Sequence, residues 1–159
     1  MFGLFSSPSI SDPDFGDLKR SRGMWRGCIA SLGKAAVPLI LAGSKSAPDS
    51  AAMDLAKSIS SQYSIWQAII EKELIEHLTP YAEAVALGEL PAPEEPLPVI
   101  TTQNDIWPHV FIEFVAVTPL EGKLTVELGY RVTWDEEHML GARFQDGRFI
   151  ELCGSVLCP

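Results

Sequence analysis

Leu124-Thr125-Val126-Glu127-Leu128-Gly129-Tyr130-Arg131-Val132-Thr133-Trp134 alternates without a break. Leu124, Val126, Leu128, Tyr130, Val132 and Trp134 hold one parity, and Thr125, Glu127, Gly129, Arg131 and Thr133 hold the other. A period of two is the side-chain period of a β-strand, so the pattern predicts a strand with one buried and one wet face. On its N-terminal side, Glu121-Gly122 supplies a turn. Val110 to Val117 before it is rich in β-branched and aromatic residues and is closed by Pro119. On its C-terminal side, Met139 to Gln145 reads as a further strand. Asp146-Gly147 is then a two-residue hairpin signal, from which Arg148 to Leu152 pairs back. The last third of the chain is therefore expected to form four antiparallel strands joined by short turns.

A helical period precedes this region. Asp49 is a good N-cap, with Ser50 the alternative if the start slips by one. Ala52, Ala56, Ile59, Tyr63, Trp66, Ile70, Leu74 and Leu78 recur at three- and four-residue steps, which places them on one helical face. Lys57, Ser60, Ser61, Gln67, Glu71 and Lys72 fall largely elsewhere. Thr79-Pro80 reads as an N-cap followed by proline at the first helical position, predicting a kink and a second short helix from Pro80 to Leu87 that Gly88 ends.

Residues 1–14, with Pro8, Pro13 and several serines, read as a loose lead-in, and 15–159 as a single α+β domain. Phe15-Gly16-Asp17-Leu18 begins the ordered part. Gly23 to Leu32 reads as a strand around Trp25, Cys28 and Ile29, with Gly27 as a bulge, and Gly33-Lys34 makes a turn. Val37 to Leu41 reads as a second strand. Pro38 cannot donate to a ladder, which puts this strand at an edge or puts the proline near its start. Leu90 to Pro98 holds four prolines and two glutamates and reads as an extended surface linker. The fold class is thus α+β: a mainly antiparallel sheet of two N-terminal and about four C-terminal strands, with a long, proline-kinked amphipathic helix on one face.

With 159 residues, 47% apolar and 21% charged, the chain has the length and balance of one globular domain that needs no disulfide or metal to hold a core. The formal net charge of −9 disfavours phosphate backbones and anionic membranes and favours a basic partner. Cys28, Cys153 and Cys158 are odd in number and unevenly spaced, so free thiols in a reducing cytoplasm are the simpler reading, with a Cys153–Cys158 bridge the lesser one. The N-terminus lacks a signal peptide's basic start and long apolar stretch, and no run approaches a membrane span.

Trp134-Asp135-Glu136-Glu137-His138 is the main candidate for chemistry, read as a turn between two strands that presents Asp135 and His138 on one side. Carboxylate beside imidazole serves general acid/base work and metal binding. The competing reading is an acidic hairpin turn with Trp134 anchoring the core. His77 and His109 are the only other histidines, and no second ligand cluster completes a metal site. Lys19, Arg20, Arg22 and Arg26 surround Trp25, a pattern that can track single-stranded nucleic acid. Residues 27–159, however, carry 8 basic and 18 acidic side chains, a balance of −10 that repels a polyanion. Ser155 lacks the second glycine of a nucleophile elbow, and Cys28 is expected to be buried and inert. No glycine loop cradles phosphate, and no cofactor is implied.

Trp134-Asp135-Glu136-Glu137-His138-x-Leu140-Gly141, with Phe149-Ile150-Glu151-Leu152-Cys153-Gly154-Ser155-Val156 behind it, resembles a group of uncharacterised bacterial domains of unknown function with a W-D-x-E-H-x-L-G signature. Phe15-Gly16-Asp17-Leu18 and Trp25-Arg26-Gly27 are similar to the same group's opening strands, so the resemblance spans Phe15 to Val156. It implies a small cytoplasmic protein, loosely similar to toxin-immunity proteins, and no established activity. The leading expectation is a non-enzymatic acidic protein that binds a basic protein partner through Asp135 to Glu137 and Glu94-Glu95, with Trp134 and His138 in the same surface. The alternatives are a metal-dependent hydrolase using Asp135, Glu137 and His138, and a subunit that self-associates through a sheet edge.

Overall fold

A computed structural model describes residues 8–30, 32, 36–155 and 157 of the chain. The expected Gly33-Lys34 turn, together with Val156 and Cys158, lies outside the described residues. Strands β1 (Ser9–Asp12), β2 (Gly16–Ser21), β3 (Met24–Ile29) and β4 (Val37–Leu41) come first. Helix α1 (Ser50–Ala86) and a 3-10 segment (Gln103–His109) follow, and then β5 (Val110–Leu120), β6 (Lys123–Val132), β7 (Asp135–Gln145) and β8 (Arg148–Gly154).

The eight strands form one mixed sheet in chain order, β1 to β8. This corrects the expectation of a mainly antiparallel sheet with two N-terminal strands. Four strands precede the helix, and β4 lies parallel to β5, with Leu39 opposite Val115 and Leu41 opposite Val117. A helix between two neighbouring strands is the usual way for the chain to re-enter a sheet in the same direction, whereas a short turn can only reverse it. At 1.5 Å per residue the helix is roughly 55 Å long. The segment from Gly88 to Thr102 and the 3-10 segment then return the chain to β5.

The antiparallel pairs have a local cause. Arg22-Gly23, Glu121-Gly122 and Asp146-Gly147 all have positive φ at both positions (50° and 83°, 52° and 80°, 51° and 73°), the twist that a two-residue hairpin requires. The first of these turns was not legible in the sequence, and it adds β2. Ser9–Asp12, within the expected lead-in, pairs with β2 as an edge strand. Pro38 is the second residue of β4 and sits just before the parallel pairing begins at Leu39, so its missing N–H breaks no bond to β5.

Helix α1 is capped by Asp49, whose carboxylate accepts from the Ala52 N–H at 2.9 Å. At the other end the Glu89 N–H donates to the Ala84 carbonyl and the Gly88 N–H to that of Val85, a Schellman closure. Pro80 lies inside one continuous helix, which corrects the expected second helix. The Thr79 hydroxyl does not cap; it donates back to the Ile75 carbonyl at 2.9 Å. The apolar stripe is buried at Ala52, Ala56, Ile59, Trp66, Ile70, Leu74 and Leu78, and Tyr63 is partly buried against the same core. Trp66 stacks on Phe144 with ring centroids 4.0 Å apart, fixing the helix over β7. Glu71, read as an outward residue, is buried as well. It accepts a 2.5 Å hydrogen bond from the Trp107 indole of the 3-10 segment.

The other face of the sheet is not the wet face that the alternation predicts. Thr125, Glu127 and Gly129 are buried, as are Ile40, Phe114 and Ala116. The Phe114 ring lies directly over Gly129, where any added Cβ would come within 2.1 Å of it. Glu127 is 4% exposed and is held by Arg143 Nε at 2.9 Å and by the Ser155 hydroxyl. β6 is therefore covered on both faces through its middle.

Candidate functional site

The segment 134–138 is not a turn. Thr133-Trp134 makes the turn, and Asp135 to His138 form the start of β7. In a regular strand, residues three apart point to opposite faces, which would separate Asp135 from His138. Here the pairing jumps from Tyr130↔Leu140 to Val132↔Asp135, so one residue of β6 spans four of β7. The bulge turns His138 back onto Asp135, and His138 Nδ1 lies 2.8 Å from Asp135 Oδ1. A carboxylate only accepts, so Nδ1 carries the proton of this bond.

Helix α1 supplies two residues that the sequence reading did not place in the site. His77 and Tyr81 are one helical turn apart and share a face. The Tyr81 hydroxyl donates to Asp135 Oδ2 at 2.8 Å, so both Asp135 oxygens are engaged. The Trp134 indole donates to His77 Nδ1 at 3.0 Å. An indole N–H can only donate, so His77 Nδ1 is unprotonated and its ring neutral, with the proton on Nε2. His77 and Tyr81 border the apolar stripe, and no single-chain pattern reveals which strand residue stands opposite them.

The electrostatics follow the contacts. Burial lowers His77 below its ordinary value, more than the Asp135 charge raises it. His138 is raised by its hydrogen bond to Asp135 and by that carboxylate's charge. Burial pushes the Asp135 carboxyl up, but bonds from Tyr81 and His138 and the His138 charge together bring it below the usual carboxylate range. Tyr81 is raised by its bond to Asp135 and by burial. Trp134 is buried at 6% exposure, while Glu136, Glu137 and His138 are exposed.

The structure also brings together two acidic segments that are forty residues apart in the chain. Glu94 and Glu95 of the linker line a cavity of about 320 Å³ with Pro93, Thr133, Trp134 and Glu136. Glu137 and His138 are not part of its lining. Among the described residues, no three His, Cys, Asp or Glu side chains are grouped to hold a metal ion, so Glu137 does not complete a ligand set with Asp135 and His138.

The remaining sequence candidates take structural places. Trp25 is fully buried and its indole donates to the Ser44 carbonyl at 3.0 Å, so it offers no face for stacking a base. Cys28 is exposed on β3, which corrects the expectation of a buried thiol. Pro38, its partner across the strands, leaves that side chain on the open face. Ser155 donates to Glu127, far in the sheet from His138's carboxylate partner. Cys28 and Cys153 are free thiols, and the Cys153 thiol is pushed up chiefly by burial. Among the described residues no helix is long and apolar enough to cross a membrane.

No curated protein and no solved structure matches the chain. A family profile does, over residues 14–156, which takes in the whole sheet from β2 to β8, the helix and every residue of the candidate site. The chain belongs to the family described as Domain of unknown function (DUF6985).

Proposed function

We propose that the protein is a non-enzymatic binding protein, immunity-like in character, that engages a basic protein partner through the acidic surface around Trp134. The observation that carries this reading is the shared cavity: Glu94 and Glu95 face the same space as Glu136, over a buried tryptophan. Three carboxylates around one concave surface raise the local density of negative charge and steer a cationic partner, an effect that salt screens. The network beneath, from His77 and Trp134 through Tyr81 to Asp135 and His138, ties the strand to the helix and holds this surface in shape.

The test is capture from host lysate by three forms of the full chain: wild type, the Glu94→Lys/Glu95→Lys variant and the Glu136→Lys/Glu137→Lys variant. A partner enriched at low salt, lost at high salt and lost from both variants supports the reading, provided the variants keep the wild-type melting temperature. A partner that survives both reversals sinks this assignment of the surface.

The Asp135–His138 pair at 2.8 Å favours a second reading, metal-dependent hydrolysis with this pair as the acid/base element. That reading requires zinc, manganese or magnesium to raise the melting temperature of the wild type and not of His138→Ala. An unchanged melting temperature with all three ions removes it.

A further inference from the structure

A groove of about 450 Å³ runs between the C-terminal half of α1 and the end of the linker. Its apolar lining is Ile75, Leu78, Ala82 and Ala86 from the helix and Pro98 and Ile100 from the linker, and Thr79 and Glu83 are its polar members. The helical residues follow steps of three and four, so they form one row, and the two alanines leave that row shallow. Apolar surface continues beside it: Leu87 is 74% exposed and Val99 85% exposed, each next in sequence to a lining residue. The same linker that borders this groove with Pro98 and Ile100 borders the acidic cavity with Pro93, Glu94 and Glu95. The two concavities are thus joined by one eight-residue segment, 93–100.

The segments that form the groove contribute charge of one sign. From Glu73 to Gly122 the chain contains nine carboxylates and no lysine or arginine. The rest of the chain carries the remaining 12 acidic residues against all 12 basic ones, so this segment accounts for the whole net charge of −9. Both the helix half and the linker that form the groove come from it. Among the described residues, Glu83, Glu89, Glu94 and Glu95 are in no ion pair.

We infer that this groove receives a basic amphipathic segment of a partner protein, its apolar side chains seated between Ile75, Leu78 and Ile100 and its lysines or arginines facing Glu83, Glu94 and Glu95. The inference rests on the acidic-surface reading above and adds an apolar anchor to it. An apolar row rimmed by charge of one sign is how a groove selects an amphipathic partner of the opposite sign.

The test uses the full chain and three labelled synthetic peptides of equal length, read by fluorescence anisotropy. One alternates lysine and leucine at helical spacing, one replaces the leucines by serine, and one replaces the lysines by glutamate. The lysine–leucine peptide should bind about tenfold tighter or more than the lysine–serine peptide, as expected for burying one or more leucines. Ala86→Trp, which fills the exposed end of the groove, should abolish that difference while leaving the weak, salt-sensitive binding of the lysine–serine peptide. Equal binding of the two cationic peptides overturns the groove and leaves the acidic surface standing. Equal binding of the glutamate–leucine peptide overturns the basic partner. Binding of no peptide overturns the groove, and the lysate test above then decides the acidic surface separately. A concentration-dependent dimer that Ala86→Trp dissociates assigns the groove to a second copy of the chain and likewise overturns the proposal.

Discussion

The contact between Glu71 and Trp107 shows what a single side chain does in this fold. Glu71 is 9% exposed on the core side of α1, where a carboxylate without a donor is costly, and the Trp107 indole N–H supplies that donor at 2.5 Å. Trp107→Phe removes the donor and should cost about 1–3 kcal/mol in urea unfolding. Adding Glu71→Met to it should recover part of that loss, because the stranded carboxylate goes with its partner; a purely additive double variant would show that the bond contributes nothing. His77 and His138 make a second prediction. His77 is held neutral in the fold, so its contribution to stability is greatest above its ordinary value of 6.5 and is lost as pH falls towards its lower folded value. His138 works with the opposite sign: its contribution is full below 6.5 and is lost as pH rises through its raised folded value. In an NMR titration the two midpoints should therefore lie on opposite sides of 6.5, and Asp135→Asn should lower both. Coincident midpoints would mean that the burial of His77 and the Asp135–His138 contact are absent in solution.

Whole elements were legible where one period dominates. The stripe from Ala52 to Leu78, the Asp49 cap and the Gly88 stop gave α1 its extent, because burial of one helical face is written directly in the spacing. Pro80 is different. Proline inside a helix removes a hydrogen bond and crowds the preceding turn, so the sequence reads as a boundary, yet the helix continues. Packing of Leu74 and Leu78 on one side of it and of Tyr81 on Asp135 on the other outweighs the local penalty. Pro80→Ala should then stabilise the protein by up to about 3 kcal/mol, seen as a higher urea midpoint with an unchanged slope. A lower midpoint would show that the ring itself is packed. The start of β7 was misread for a related reason. Strong turn formers and charges at 135–138 suggest a loop, and only the partner strand β6 makes them a bulged strand. The short polar strands β1 and β2 carry a single buried side chain, Leu18, so alternation had little to mark them by.

At the scale of the molecule, the halves of the sheet are each local and their junction is not. The β1–β2 and β2–β3 hairpins and those from β5 to β8 are set by turns of two or three residues, while the β4–β5 pairing joins Leu39–Leu41 to Val115–Val117 across the whole helix and linker. Nothing in either strand's sequence names the other, which is why the mixed sheet was not legible and the antiparallel one was expected. The charge is organised on the same plan: the connection between the two halves, residues 42–109, carries ten acidic side chains against three basic ones, −7 of the net −9. The acidic surface thus joins Glu94 and Glu95 of the crossover to Glu136 of β7, and its integrity depends on that long-range pairing. Amide hydrogen exchange tests the junction. With β3 on one side and β5 on the other, the amides of Leu39 to Leu41 should be among the slowest in the protein, alongside Val115 to Val117 and Val126 to Tyr130, and far slower than Ser9 to Asp12 at the sheet edge. If Leu39 to Leu41 exchange as fast as β1, then β4 is an edge strand. The sheet would then be two separate antiparallel halves, and the linker would have no fixed frame on which to join the cavity to the groove.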